Sequence, residues 1–162
     1  MIKMLKIILL ALVALPLLLL LAGRLGYLAG QTPEGLGVLE GKLKAPRATP
    51  NSVSSQARLH PAHPRHEQAQ IDPLAYQGEG AAAMKRLAQL VGQMPHTRLI
   101  TQRADYLYFE CGSRWLKFTD DLEFLLDDDA KQIHVRSASR LGRRDFDVNR
   151  ERVEAIRKLF AA

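Results

Sequence analysis

Residues 97–139 read TRLITQRADYLYFECGSRWLKFTDDLEFLLDDDAKQIHVRSAS, and this stretch decides the fold class. It is rich in β-branched and aromatic residues, and short polar turns divide it into runs of strand length. We predict strands over residues 97–103, 106–111, 115–125 and 132–139, with a turn at 127–129. A run of adjacent strands joined by short turns indicates an antiparallel sheet.

The faces of these strands follow from alternation, because successive side chains point to opposite sides of a sheet. Leu107, Phe109 and Cys111 share one face of the second strand, which we expect to be buried. Cys111 is the only cysteine of the chain, so no internal disulfide can form. Its place on an apolar face predicts a small core residue rather than a nucleophile.

Two amphipathic helices flank the predicted strands. Apolar residues recur at helical spacing over 80–94 and again over 149–160. Asn149 is expected to cap the second helix, with Val153 and Ile156 in its buried stripe. The predicted fold is therefore α+β, a small antiparallel sheet with two flanking helices, preceded by the N-terminal transmembrane helix described next.

The N-terminal residues predict one transmembrane helix. Residues 7–22 are all apolar, and residues 4–27 are long enough to cross a bilayer core. Lys3 and Lys6 precede the run, whereas only Arg24 follows it closely. The positive-inside rule then puts the N-terminus in the cytoplasm and the domain on the periplasmic side of the inner membrane. The alternative is a cleaved signal peptide, which is less favoured because no Ala-x-Ala site follows the run.

Composition divides the chain into three parts. They are a transmembrane anchor over 1–30, a Pro/His/Gln-rich linker and wrapping arm over 31–70, and a small α+β domain over 71–162. In the linker, His60, His63 and His66 would align on a polyproline II helix and could ligate a transition metal. Aligned residues there are about 9 Å apart, so we favour a solvated linker and predict no metal site. We predict no cofactor either, because no phosphate loop or dinucleotide fingerprint is present.

The charge balance argues against a nucleic-acid partner. The chain has 23 basic and 17 acidic residues, a net charge of +6. Without Lys3, Lys6 and Arg24, which flank the apolar run, 20 basic residues face the same 17 acidic ones. A domain that reads DNA or RNA usually carries a dense basic stripe, which this balance does not provide.

An anion-binding site is predicted where the last strand meets the closing helix. Arg136 and Arg140 lie on one face of the strand, and Gly142 permits a sharp turn back towards Asn149. Arg150 lies in the first turn of the predicted helix, whose unpaired amides attract negative charge. We therefore predict that Arg136, Arg140, Arg150 and Asn149 bind an anionic ligand.

The acidic residues Asp120, Asp121 and Asp145 leave alternatives open. They could support the arginine site or, together with Glu123, neutralise the arginines in a lattice of ion pairs. Asp120 and Asp121 could also form an acid–base pair. Adjacent strand residues point to opposite faces, however, so these two cooperate only across a bulge.

Two longer elements indicate a family. Residues 50–55 read PNSVSS, and residues 136–154 read RSASRLGRRDFDVNRERVE. With these elements the chain resembles the uncharacterised family DUF1499 over about residues 45–160. The resemblance implies a membrane-associated role, because members occur in bacterial envelopes and plant plastids, and it implies no particular activity. Many members have cysteines near the first element, where this chain has Ala45 and Ser52, so no redox role is expected.

These observations favour a non-catalytic envelope domain anchored in the membrane. Its partner would be an anionic small molecule, a lipid headgroup or an envelope protein. One alternative is a hydrolase that uses Asp120, Asp121 or Asp145, with arginines stabilising an anionic transition state. Another is a structural accessory subunit of a membrane complex.

Overall fold

The computed structural model describes residues 2–161, which form an α+β fold with three α-helices and six strands. The helices are α1 (Ile2–Arg24), α2 (Gly80–Gly92) and α3 (Val148–Ala161), and a short 3₁₀ turn covers Ala57–Leu59. The strands are β1 (Ser52–Ser54), β2 (Leu74–Ala75), β3 (Thr97–Gln102), β4 (Tyr106–Gly112), β5 (Thr119–Asp127) and β6 (Gln132–Ser139). The predicted fold class is confirmed.

The six strands form one antiparallel sheet in the order β1-β6-β5-β4-β3, and β2 also pairs with β6. Ser52 lies opposite Ala138 and Leu74 opposite Ile133, so β1 and β2 occupy the two ends of the same edge of β6. β1 falls within the stretch assigned to the linker and wrapping arm. Two or three residues are too few for alternation to reveal a strand.

The main core lies between α2, α3 and one face of the sheet. Leu87 and Val91 of α2 and Val153 and Ile156 of α3 are completely buried there. The strands contribute the expected alternate residues, namely Leu107, Phe109, Cys111, Leu122, Phe124, Ile133 and Val135. Cys111 is a buried free cysteine, as predicted, and burial raises the pKa of its thiol.

The opposite face of the sheet is covered by the chain that follows α1. Leu43 of this arm is buried against Tyr106, Tyr108 and Leu125 in a second apolar cluster. The Gly37 amide donates a hydrogen bond of 2.8 Å to Oε1 of the buried Glu123. The arm is therefore fastened to the sheet by both an apolar contact and a polar one.

Two predicted details are wrong. Residues 115–118 lie in a turn instead of a strand, because Ser113 N donates to Phe118 O at 2.8 Å and closes a loop before β5 begins. Asn149 does not cap α3, which already begins at Val148. The backbone N–H of Asn149 instead donates to Oδ2 of Asp145 at 3.1 Å, so the Asp145 side chain satisfies one of the free backbone amides at the helix start.

Helix α1 is long and apolar enough to cross a membrane, either as an anchor or as a signal sequence. Nearly all of its side chains are exposed, and Gly23 is its buried residue. A β-carbon at Gly23 would overlap the backbone carbonyl of Leu116. The end of α1 is therefore packed against the loop between β4 and β5.

Candidate functional site

A cavity of about 400 Å³ opens at the end of the sheet nearest α1. We call it the α1-end cavity. Its walls come from the 113–118 loop, the 140–147 loop and the first turns of α3. Phe118, Leu141 and Phe146 supply much of its apolar wall. The arrangement is a mainly apolar cleft bounded by two loops and one helix.

Local backbone geometry fixes the 140–147 loop. Gly142 has a φ of 84°, which is readily available to glycine but not to other residues. Phe146 and Asp147 also adopt positive φ, at 52° and 64°. Such a conformation costs about 1–3 kcal/mol outside glycine. Phe146 is 87% exposed, so burial of its ring does not offset that cost.

The polar floor of the cavity is an ordered network centred on Arg152. Its Nη2 donates to Asp120 Oδ2 at 2.6 Å, and its Nη1 donates to Asn149 Oδ1 at 2.8 Å and to Ser137 Oγ at 3.0 Å. Because three oxygens hold the guanidinium, its position relative to the sheet is fixed.

Asn149 joins this network to the loops. Its side chain is fully buried, and its Nδ2 donates to Ser139 Oγ at 2.9 Å and to Asp145 Oδ2 at 2.8 Å. The same amide contacts the Asn51 carbonyl at 3.2 Å. Asn51 Nδ2 in turn donates to the Gly142 carbonyl at 2.7 Å. The elements at 50–55 and 136–154 therefore meet directly, at the base of the cavity.

A second charged network lies on the opposite face of the sheet. Arg140 donates to Asp121 Oδ1 through Nε at 3.0 Å, and through Nη2 to Glu110 Oε1 at 2.6 Å and to the Tyr108 hydroxyl at 2.8 Å. Burial opposes the charge on Arg140, but its hydrogen bonds to Asp121 and Glu110 outweigh this and raise its pKa. Burial likewise opposes ionisation of Glu110, yet bonds from Arg98 and Arg140 keep its pKa below the usual value.

The four residues predicted to bind an anion do not meet at one point. Arg136 pairs with Glu123 at 3.0 Å on the outer face of the sheet, close to the Arg140 network. Asn149 lies on the helix side. Arg150 donates to the backbone carbonyls of Gln70 and Gln68, at 3.1 and 2.9 Å. A binding role for these residues stays a prediction.

The predicted acids have separate partners. Asp120 pairs with Arg152 and Asp121 with Arg140, on opposite faces of the sheet, while Asp145 contacts Asn149. Arg152 is the residue that sequence reasoning missed. Its position three residues after Asn149 places both on one helix face, a signal that could have identified it. Within residues 2–161, no group of three or more His, Cys, Asp or Glu side chains is arranged to hold a metal.

Aromatic and basic side chains surround the mouth of the α1-end cavity. Trp115 is 64% exposed, and the Arg114 guanidinium lies 4.7 Å from the centre of its ring. Lys117, Arg143 and Arg144 are also exposed on the two loops. We call these residues, with Phe146, the aromatic–basic rim. The rim lies beside the end of α1, because Gly23 is packed on Leu116.

One protein-family comparison identifies the chain. The model of the family described as "Protein of unknown function (DUF1499)" matches residues 42–160. This match contains the sheet, α2, α3, both charged networks and the α1-end cavity. Comparison with curated proteins and with solved structures gives no significant match. The chain therefore belongs to the DUF1499 family, whose function is not established.

Proposed function

We propose that this protein is a single-pass membrane protein whose domain, outside the cytoplasm, binds an anionic phospholipid without catalysis. The observation that carries the proposal is the position of the α1-end cavity, an apolar cleft with a basic rim beside the end of a helix able to cross a bilayer. An anionic lipid from the same bilayer matches both features, because its apolar part suits the walls of the cavity and its charged headgroup suits the basic rim.

The contact between Gly23 and Leu116 supports this choice of ligand. If α1 spans the bilayer, its last residue, Arg24, reaches the headgroup level. The 113–118 loop touches the preceding residue, so Trp115 and the cavity mouth lie at that same depth. Tryptophan is enriched at this level of a membrane because its ring is amphipathic. Exposed lysine and arginine near the surface attract anionic lipids.

The chemistry of the cavity fits a lipid with a phosphate group. Phe118, Leu141 and Phe146 offer apolar area to an acyl chain or glycerol backbone. Arg144 lines the cavity and makes no side-chain hydrogen bond within the described residues, so its guanidinium is free to bind phosphate at two points. Arg152 also lines the cavity, but its charge is neutralised by the ion pair with Asp120, so Arg144 is the arginine we expect to bind the phosphate.

The contacts of the acidic residues favour binding over the hydrolase alternative. A hydrolase that used these acids together would need their carboxylates to share a proton, a water or a metal at one place. Asp120, Asp121 and Asp145 each contact a different partner, and Asp121 lies on the far face of the sheet. These acids are therefore used to position other side chains.

Retention of lipid by the purified protein tests the proposal. The full chain would be extracted from its native membrane in mild detergent, and bound lipids would be identified by native mass spectrometry. We expect about one anionic phospholipid per chain, and at least a fivefold loss of it in Arg144→Gln. Arg58→Gln is the matched control, because Arg58 is an exposed arginine far from the cavity lining.

Fluorescence provides a second readout, because Trp115 is the single tryptophan of the chain. In vesicles that contain brominated phosphatidylglycerol, quenching of Trp115 should exceed that in vesicles of brominated phosphatidylcholine. Equal quenching in both, together with equal lipid retention by Arg144→Gln and Arg58→Gln, would overturn the proposal. Retention of a protein instead of a lipid would do the same.

A further inference from the structure

The polar floor of the α1-end cavity contains two carboxylates that each use only one oxygen. Asp120 Oδ2 accepts from Arg152 at 2.6 Å, and Asp145 Oδ2 accepts from the Asn149 side chain at 2.8 Å. No residue within 2–161 donates a hydrogen bond to Asp120 Oδ1 or to Asp145 Oδ1. The floor therefore has two acceptor oxygens that the fold itself does not use.

Both of these oxygens are accessible. Asp120 and Asp145 line the cavity, and neither free oxygen is among the fully buried side-chain atoms that have no partner in the described part of the chain. Each oxygen therefore retains accessible surface, even though Asp120 as a residue is only 9% exposed. A molecule that enters the cavity can bond to both.

One chain of hydrogen bonds fixes the two acceptors relative to each other. Arg152, which binds Asp120, also donates to Asn149 Oδ1 at 2.8 Å, and Asn149 Nδ2 donates to Asp145. The same Nδ2 donates to Ser139 Oγ, and Ser139 lies opposite Asp120 in the sheet. Because the acceptors are held in advance, a ligand with two suitably spaced donors binds them without ordering the site.

We propose that the α1-end cavity selects a polyol headgroup, and that a glycerol headgroup donates one hydroxyl to Asp120 and one to Asp145. This inference rests on the lipid-binding function proposed above and names the headgroup. With the phosphate at Arg144, the headgroup alcohol is the part of the lipid that reaches the floor. A glycerol headgroup has hydroxyls on adjacent carbons, so it provides a donor for each acceptor.

The charges around the cavity argue against other headgroups. A serine headgroup carries a carboxylate, which Asp145 repels because no basic side chain of residues 2–161 forms an ion pair with it. An ethanolamine headgroup carries an ammonium group, which the exposed rim residues Lys117, Arg143 and Arg144 repel. Phosphatidic acid has no alcohol and leaves both acceptors without a donor.

Competition between two lipids of equal charge tests the headgroup. Phosphatidylglycerol and phosphatidylethanol with the same acyl chains are both monoanions, but only the first has headgroup hydroxyls. The full chain in mild detergent would be incubated with equal concentrations of both, and the bound lipids would be counted by native mass spectrometry. We expect phosphatidylglycerol to be retained about tenfold better, which corresponds to one charge-assisted hydrogen bond.

A variant at Asp145 makes the test specific. Asp145→Asn keeps an oxygen for Asn149 but replaces the free charged acceptor with an NH₂ group, so the preference should fall to about twofold. Asp147→Asn is the matched control, because it removes the same charge from the same loop at a residue that does not line the cavity. Its preference should equal that of the wild type. The ratio of the two lipids is the readout, since loss of a negative charge strengthens retention of both.

Equal retention of the two lipids by the wild type, each above phosphatidylcholine, would overturn the polyol inference and leave the lipid proposal intact. Retention of neither lipid above phosphatidylcholine would overturn both. The wild-type comparison needs no variant, so it decides the matter even if Asp145→Asn does not fold. An unchanged preference in a folded Asp145→Asn would also contradict the inference, because selection would then come from other groups.

Discussion

Glu123 shows how one buried carboxylate can hold two layers together. It is fully buried, and it accepts from Arg136, from the Tyr106 hydroxyl at 2.8 Å and from the Gly37 amide. A buried carboxylate is tolerated only when it is paired and hydrogen-bonded. Here the pairing partner comes from the sheet, whereas one of the hydrogen bonds comes from the arm. Glu123 thus forms an ion pair within the sheet and also holds the arm against it through the Gly37 amide.

The Tyr106 hydroxyl leads to a prediction about alkaline pH. Burial, followed by the adjacent Glu123 carboxylate, raises the pKa of Tyr106 above its usual value. An unfolded tyrosine loses its proton near pH 10, at about its ordinary pKa. Above that pH the unfolded state loses the proton first, so the stabilisation that Tyr106 provides is complete below pH 10 and decreases as the pH rises.

Tyr106→Phe should therefore lower the free energy of unfolding at pH 8 by about 1–2 kcal/mol, because a buried hydrogen bond is lost. The difference from wild type should shrink between pH 10 and 11.5. Urea denaturation of the protein in micelles, followed by circular dichroism, measures both. Tyr27→Phe is the control, since Tyr27 is 77% exposed. A difference that stays constant with pH would show that folding does not raise the pKa of Tyr106.

At the scale of elements, the Asn149 side chain links α3 to β6 and to the residue that precedes β1. If it were a helix cap, its replacement by alanine would cost about 1 kcal/mol. Its side chain instead bonds to Ser137, Ser139 and Asn51, and each buried group left unpaired costs about 1–3 kcal/mol. Asn149→Ala should therefore lower the free energy of unfolding by about 2–4 kcal/mol.

The matched control is Glu151→Ala, which changes an exposed residue in the same helical turn and should cost less than about 1 kcal/mol. Urea denaturation of both variants gives the comparison. Equal costs for the two variants would contradict the network role of Asn149. They would mean that the cavity floor does not depend on these hydrogen bonds.

Elements with a repeating pattern were predictable from the sequence, and short or irregular ones were not. Alternation identified β6 at its observed bounds and the buried face of β4, and helical spacing identified α2. The 113–118 loop was missed because Leu116 and Phe118 continue the alternation by chance. β1 was missed because its three residues form a strand only through pairing with β6.

The candidate site was less predictable than the fold, for a physical reason. Which arginine meets which acid depends on the register between neighbouring strands, and one sequence does not specify that register. Arg136 and Arg140 were correctly placed on one face, opposite Ile133 and Val135. Glu123 and Asp121 were among the acids expected to neutralise them, but which acid pairs with which arginine became clear only from the pairing of β5 with β6. Predicting the α1-end cavity would also have required the conformations of the 113–118 and 140–147 loops, which line it.

At the scale of the whole molecule, topology is the property to measure. Lys3 and Lys6 lie at the start of α1, before its unbroken apolar run, and the positive-inside rule then predicts that the domain lies outside the cytoplasm. An alkaline phosphatase fusion at the C-terminus, in a bacterial host, should be active, and the protein should stay with the membranes after a carbonate wash.

A fusion of β-galactosidase at the same position is the control and should be inactive. The reverse pattern would place the domain in the cytoplasm. Release of a shortened, soluble chain would establish that α1 is a signal sequence and is removed.

The packing of Gly23 against Leu116 has a further consequence, which concerns how the domain searches for its partners. A domain on a loose tether tumbles and samples every direction within reach of the tether. If α1 is retained as a membrane anchor, a domain seated on the end of that helix keeps one side turned to the lipid and drifts with it in two dimensions. Its encounters are then set by lateral diffusion in one leaflet, so the surface density of a partner, and not its bulk concentration, determines how often the two meet.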